Sequence, residues 1–85
     1  MLAGGSTALH ASVHGGHYEV AKYLIEQGIN VDTCDQYGRT ALHYASYYSH
    51  YNIVKLLVDS NANLFVQDIY GYTPFNYSLL RVITG

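Results

Sequence analysis

The 85-residue sequence has one cysteine, one proline and no tryptophan. Cys34 alone cannot form a disulfide within the chain, and a structural zinc site would need more thiolates or a tight histidine cluster. A reducing, intracellular compartment is the setting this predicts. Charge is scarce too. Asp, Glu, Lys and Arg make up 12% of the residues, against a usual share of roughly 25%. Four basic residues against six acidic ones give a formal net charge of −2. Holding a nucleic-acid backbone needs clustered cations to displace counterions, so nucleic acid is excluded as the expected partner. No apolar run approaches the roughly 18 residues that a membrane-spanning helix needs. Met1-Leu2-Ala3-Gly4-Gly5 lacks the basic start and apolar stretch of a signal peptide.

What is present is an apolar share of 49%, enough for one folded domain of this length and too much for disorder. Tyrosine is abundant, with 10 residues. The sequence also repeats. Thr7, Thr40 and Thr73 are spaced by 33, as are Gly5, Gly38 and Gly71, and Leu9, Leu42 and Phe75. Aligning 6–38 with 39–71 gives 12 identities, where about two are expected from ordinary composition. The expected organisation is a single segment over 1–85: a first repeat at 6–38, a second at 39–71 and a partial third at 72–85.

Each copy carries readable local chemistry. Asp35-Gln36-Tyr37-Gly38 and Asp68-Ile69-Tyr70-Gly71 place Asp first and Gly fourth in a tight turn. Thr7, Thr40 and Thr73 suit helix N-caps, because a hydroxyl can accept a free amide two or three residues on. Pro74 falls at a first helical position, where its missing N–H is harmless. First helices are predicted at about 8–15, 41–48 and 74–82. Second helices are predicted over 18–27 and 51–60, with stripes of Val20, Ala21, Leu24 and Ile25, and of Ile53, Val54, Leu57 and Val58. Gly28 and Asn61 can end them in left-handed backbone. Neither pair can bury its stripe alone, so the copies must stack into one all-α solenoid.

The period, with "GSTALH", "GRTALH" and "GYTPFN" opening the units and "GHYEVAKYLIEQGINVD" following the first, resembles the ankyrin repeat. That resemblance implies an ankyrin-type helix-turn-helix solenoid with projecting turns, whose activity is binding other proteins. It implies that His10 and His43 are structural, tying adjacent turns together. It also implies that the variable positions Gln36, Tyr37, Arg39, Tyr47, Tyr48, Gln67, Ile69, Tyr70 and Tyr72 line a concave partner-binding face. The sequence departs from the family pattern at Asn76, which replaces the repeated histidine, and at Ser49, which replaces the glycine matching Gly16. Leu2, where Asp35 and Asp68 stand in later copies, leaves the first turn incomplete.

Five histidines invite a metal or catalytic reading. His10, His14 and His17 have spacings that could hold a metal, but Gly15-Gly16 should end the helix first and no acid or thiol joins them. Cys34 lacks any group that would orient a base toward it. Gly4-Gly5 and Gly15-Gly16 lack phosphate-loop spacing. No catalytic residue, metal or cofactor is expected. Tyr18, Tyr23, Tyr44, Tyr51 and Tyr77 fall within helices and read as partly buried bodies with a wet hydroxyl. Tyr37, Tyr47, Tyr48, Tyr70 and Tyr72 read as contact residues, since tyrosine buries much area for few lost rotamers. Residues 79–83 form an apolar stretch with no second helix after it. This leaves open a segment of a longer array, a spacer or cap without its own partner, and self-association through an uncovered end.

Overall fold

The computed structural model describes residues 7–84; the incomplete turn expected at Leu2 and the Gly4-Gly5 pair lie outside them. Among the described residues there are five helices and no strand: α1 (Ala8–His14), α2 (Tyr18–Glu26), α3 (Ala41–Tyr47), α4 (Tyr51–Asp59) and α5 (Pro74–Thr84). The first four stop one residue short of the expected ends, and α5 runs two residues further.

The starts of α1 and α3 share a cause. Thr7 and Thr40 sit in extended backbone, and each hydroxyl accepts from the amide three residues on, His10 or His43. Each histidine Nδ1 accepts in return from the threonine amide, at 3.2 Å for His10 and 3.0 Å for His43. This is a reciprocal capping box built with imidazole in place of the usual Glu or Gln. An accepting Nδ1 puts the proton of the neutral ring on Nε2. His10 Nε2 therefore donates to the Arg39 carbonyl, and His43 Nε2 to the Tyr72 carbonyl, each at 2.8 Å. A side chain that caps its own helix thus also fixes the next turn. In the third copy Asn76 serves Thr73 in the same way, with Oδ1 accepting from the Thr73 amide at 2.9 Å.

The core lies between the helix layers: Leu9, Val13, Ala21, Ala41, Leu42, Ala45, Ile53, Leu57 and Ala62 are buried. Ala41 and Ala45 are small enough for α3 to lie close against its neighbours. Burying Leu9, Ile53 or Leu57 is worth about 1.5–3 kcal/mol each. The expected second-helix stripes are narrower than the sequence implies. Val20 is 52% and Val58 42% exposed, while Ala21, Ile53 and Leu57 are fully covered. Ile53, the counterpart of Val20, is buried because α2 lies beside α4; no described helix lies on the matching side of α2. Tyr23 and Tyr51, expected to be partly buried, are 60% and 73% exposed on the outer side of the second helices. No described helix covers either side chain.

Candidate functional site

The two complete turns are built from backbone upward. The Gly38 amide donates to the Asp35 carbonyl at 3.0 Å and the Gly71 amide to the Asp68 carbonyl at 2.9 Å, closing each tip. Both glycines have positive φ, and a Cβ on Gly38 would stand 3.2 Å from the Asp68 Cα. The Ile69 amide donates to the Tyr37 carbonyl at 2.9 Å, so neighbouring tips are joined.

Each turn folds around its aspartate. Asp35 Oδ1 accepts from the Tyr37 and Arg39 amides at 2.8 and 2.9 Å, and its Oδ2 accepts from the Tyr44 hydroxyl and from Arg39 Nε, the latter at 3.1 Å. Asp68 Oδ1 accepts from the Tyr70 and Tyr72 amides, both at 2.9 Å, and its Oδ2 from the Tyr77 hydroxyl. Burial works to raise both carboxyl pKa values. Hydrogen bonds outweigh it, Tyr44 and then two amides for Asp35, Tyr77 and then two amides for Asp68, and both stay below the ordinary aspartate value. The Tyr77 phenol is pushed up, first by burial and then by its bond to Asp68. Burial lowers the His43 pKa, although its bond to Tyr72 opposes this. These groups are held in single protonation states that suit a fixed scaffold.

Above the aspartates, rings and cations converge. The Arg39 guanidinium lies 4.7 Å from the Tyr37 ring centre and 5.1 Å from that of Tyr44. Tyr48 meets His14 edge-on at 4.8 Å and Tyr47 at 5.0 Å. Tyr77 links Tyr47 and Tyr72 at 6.1 and 5.7 Å. Arg81 stands 5.8 Å from the Tyr47 ring centre. The result is an open cleft of about 410 Å³ lined by His14, Arg39, His43, Tyr44, Tyr47, Tyr48 and Tyr77.

Of the expected contact residues, the structure brings Arg39, Tyr47 and Tyr48 together in this cleft, with Tyr37 and Tyr72 touching its members. It leaves Gln36, Gln67, Ile69 and Tyr70 outside the cleft, exposed on the turns. Gln67 Nε2 donates back to the Gly71 carbonyl at 3.2 Å. Sequence reasoning missed His14, Tyr44, Tyr77 and Arg81 as neighbours of the contact set. The repeated spacing of nine from Asp35 to Tyr44 and from Asp68 to Tyr77 was the available signal. His14 meets the rings of Tyr44 and Tyr48, and among the described residues no three His, Cys, Asp or Glu side chains gather to hold a metal. Burial, with the charges of Asp35 and Asp32 behind it, pushes the Cys34 thiol up and away from the nucleophilic thiolate. No helix among the described residues is long and apolar enough to cross a membrane.

Compared with known families, residues 2–68 match the model described as ankyrin repeats (3 copies).

Proposed function

The chain belongs to the ankyrin-repeat family, whose members are generally protein–protein interaction modules and typically not enzymes, and on that premise we propose that it recognises a protein partner through its turn tips and first helices. The contact set is Gln36, Tyr37, Arg39, Tyr47, Tyr48, Gln67, Ile69, Tyr70 and Tyr72, on one segment with repeats at 6–38 and 39–71 and a partial copy at 72–85. The observation that carries this reading is the aromatic cleft beside two exposed tips, where Ile69 is 63% and Tyr70 64% exposed. Tyrosine and arginine in such a setting are the residues that dominate binding energy elsewhere. An exposed, free Cys34 fits a reducing intracellular compartment.

The exposed tyrosines of the second helices supply the control. Proteins selected from a display library for binding this chain should lose about 2 kcal/mol of affinity on Tyr48→Ala or Tyr70→Ala. They should tolerate Tyr23→Ala and Tyr51→Ala. Binders with the opposite pattern would refute the proposed face.

A second reading, a spacer or cap, draws on α5. Phe75, Leu79, Val82 and Ile83 form a stripe on it that is 67%, 45%, 80% and 78% exposed, whereas Leu9 and Leu42, the counterparts of Phe75, are buried. On this reading a neighbouring repeat or a second copy covers the stripe. Urea unfolding at two protein concentrations distinguishes them: a midpoint that rises with concentration favours self-association, and an unchanged one disfavours it.

A further inference from the structure

Resting on the recognition face proposed above, we infer that the cleft is a receptor for a carboxylate: its partner presents a Glu or Asp side chain, and Arg39 is the residue that reads it. Arg39 is anchored within its own turn. Its Nε is tied to Asp35 Oδ2 at 3.1 Å, and its guanidinium lies against the rings of Tyr37 and Tyr44. These contacts fix the plane of the group. The two terminal nitrogens make no hydrogen bond among the described residues, although the side chain is only 34% exposed. A guanidinium anchored through Nε presents its terminal nitrogens as a rigid fork, which matches the two oxygens of a carboxylate. Little rotamer freedom remains to be lost on binding.

Charge points the same way. The two aspartates beneath the cleft already accept hydrogen bonds on both oxygens, from two amides and a tyrosine hydroxyl each. Neither is among the residues that line the cleft, and with both oxygens already engaged they offer little to a visiting cation. Arg39 and the exposed His14 line the cleft, and Arg81 stands beside the lining ring of Tyr47. With two of the chain's four Lys and Arg residues gathered here, an acidic side chain complements the site and a basic one does not. The rings of Tyr47 and Tyr48 supply the walls that exclude water around such a pair.

The test uses a random 12-residue peptide display library selected against the whole chain, after which enriched peptides are synthesised with their acids intact and with Glu or Asp changed to Gln or Asn. The expected result is enrichment of an acidic position whose conversion to the amide weakens binding roughly tenfold or more. Arg39→Gln should cause a similar loss, and Arg39→Lys most of it, because an ammonium keeps the charge but not the fork. Far-UV circular dichroism of both variants should match the parent. Peptides that need Tyr48 but are indifferent to their acid and to Arg39 would overturn the carboxylate site while sparing the recognition face. Peptides indifferent to Tyr48 as well would sink both. Preference for a phosphotyrosine peptide over the Glu peptide would also overturn the assignment, in favour of a phosphate receptor.

Discussion

The turns at 35–39 and 68–72 are two solutions to one problem; they differ at Gln36 against Ile69 and, more tellingly, at Arg39 against Tyr72. Both fold around an aspartate that accepts two amides and a tyrosine hydroxyl, and both have their final carbonyl held by the histidine of the preceding first helix. The first ends in Arg39 and the second in Tyr72. Among the described residues Asp35 therefore gains an ion pair that Asp68 does not make. The shared parts show what the turn needs to exist: a carboxylate, two amides, a hydroxyl and a pinned carbonyl. The differing residues, Gln36 and Arg39 against Ile69 and Tyr72, are the ones whose identity the turn does not fix.

Removing the shared part should have the largest effect. Asp35→Ala should cost about 3 kcal/mol of stability, because it strands the Tyr44 hydroxyl, two amides and the Arg39 charge. Asp68→Ala should cost about 2 kcal/mol, since no cation is left unpaired. Urea unfolding measures both, and equal losses would mean that the Arg39 pair contributes nothing.

Acid should act on both turns in a defined order. The folded His43 pKa lies below its ordinary value of 6.5, so an unfolded chain takes up a proton there more readily. The stability tied to that neutral ring is present above about pH 6.5 and is lost as pH falls through the folded pKa. The two aspartates, also depressed, hold their contribution above about pH 4 and lose it in a second stage as pH falls through their folded values. Thermal melts from pH 8 to 3 should show the two stages. Asp35→Asn and Asp68→Asn should each shrink the second. Stability that rises on acidification from pH 7 to 5 would contradict the sign.

Making the turns alike is a milder change. Arg39→Tyr should cost less than about 1 kcal/mol of stability, because the pair is partly open to solvent, yet it should abolish the preference for acidic peptides. A loss as large as that of Asp35→Ala would make Arg39 a structural residue.

The smallest effect concerns another pair of equivalent positions. Gly16 and Ser49 follow the first helices with φ of 74° and 61°. Glycine adopts this backbone freely and serine does not, so Ser49→Gly should stabilise the chain by about 0.5–1 kcal/mol. The reverse exchange, Gly16→Ser, should destabilise it, because a Cβ there would stand 2.9 Å from the His50 ring. Guanidinium unfolding midpoints that move the other way would show that neither position is governed by its backbone.

What the sequence made legible was local. The threonine caps and the tip glycines depend on groups within four residues of one another, and a 33-residue period shows each device more than once. The bond from Asp35 to Tyr44 spans a turn and a helix start, so no local rule finds it, although the same spacing recurs at Asp68 and Tyr77. Exposure was harder to read. Val20 and Ile53 occupy the same repeat position, yet one is half open and the other fully covered, because burial depends on whether a helix lies beside them. The same reason separates Tyr18, half-buried, from its equivalent Tyr51, open to solvent. In the cleft, Arg39, Tyr47 and Tyr48 were identified as single positions from the family resemblance. Their gathering around His14, Tyr44 and Tyr77 needed the fold.

The most direct test of the recognition face is a tyrosine-ring NMR spectrum, with the 10 rings selectively labelled, recorded with and without a selected protein binder. Rings at Tyr37, Tyr47, Tyr48, Tyr70 and Tyr72 should shift on binding, while Tyr18, Tyr23 and Tyr51 stay where they are. Shifts confined to the second-helix tyrosines would contradict the account.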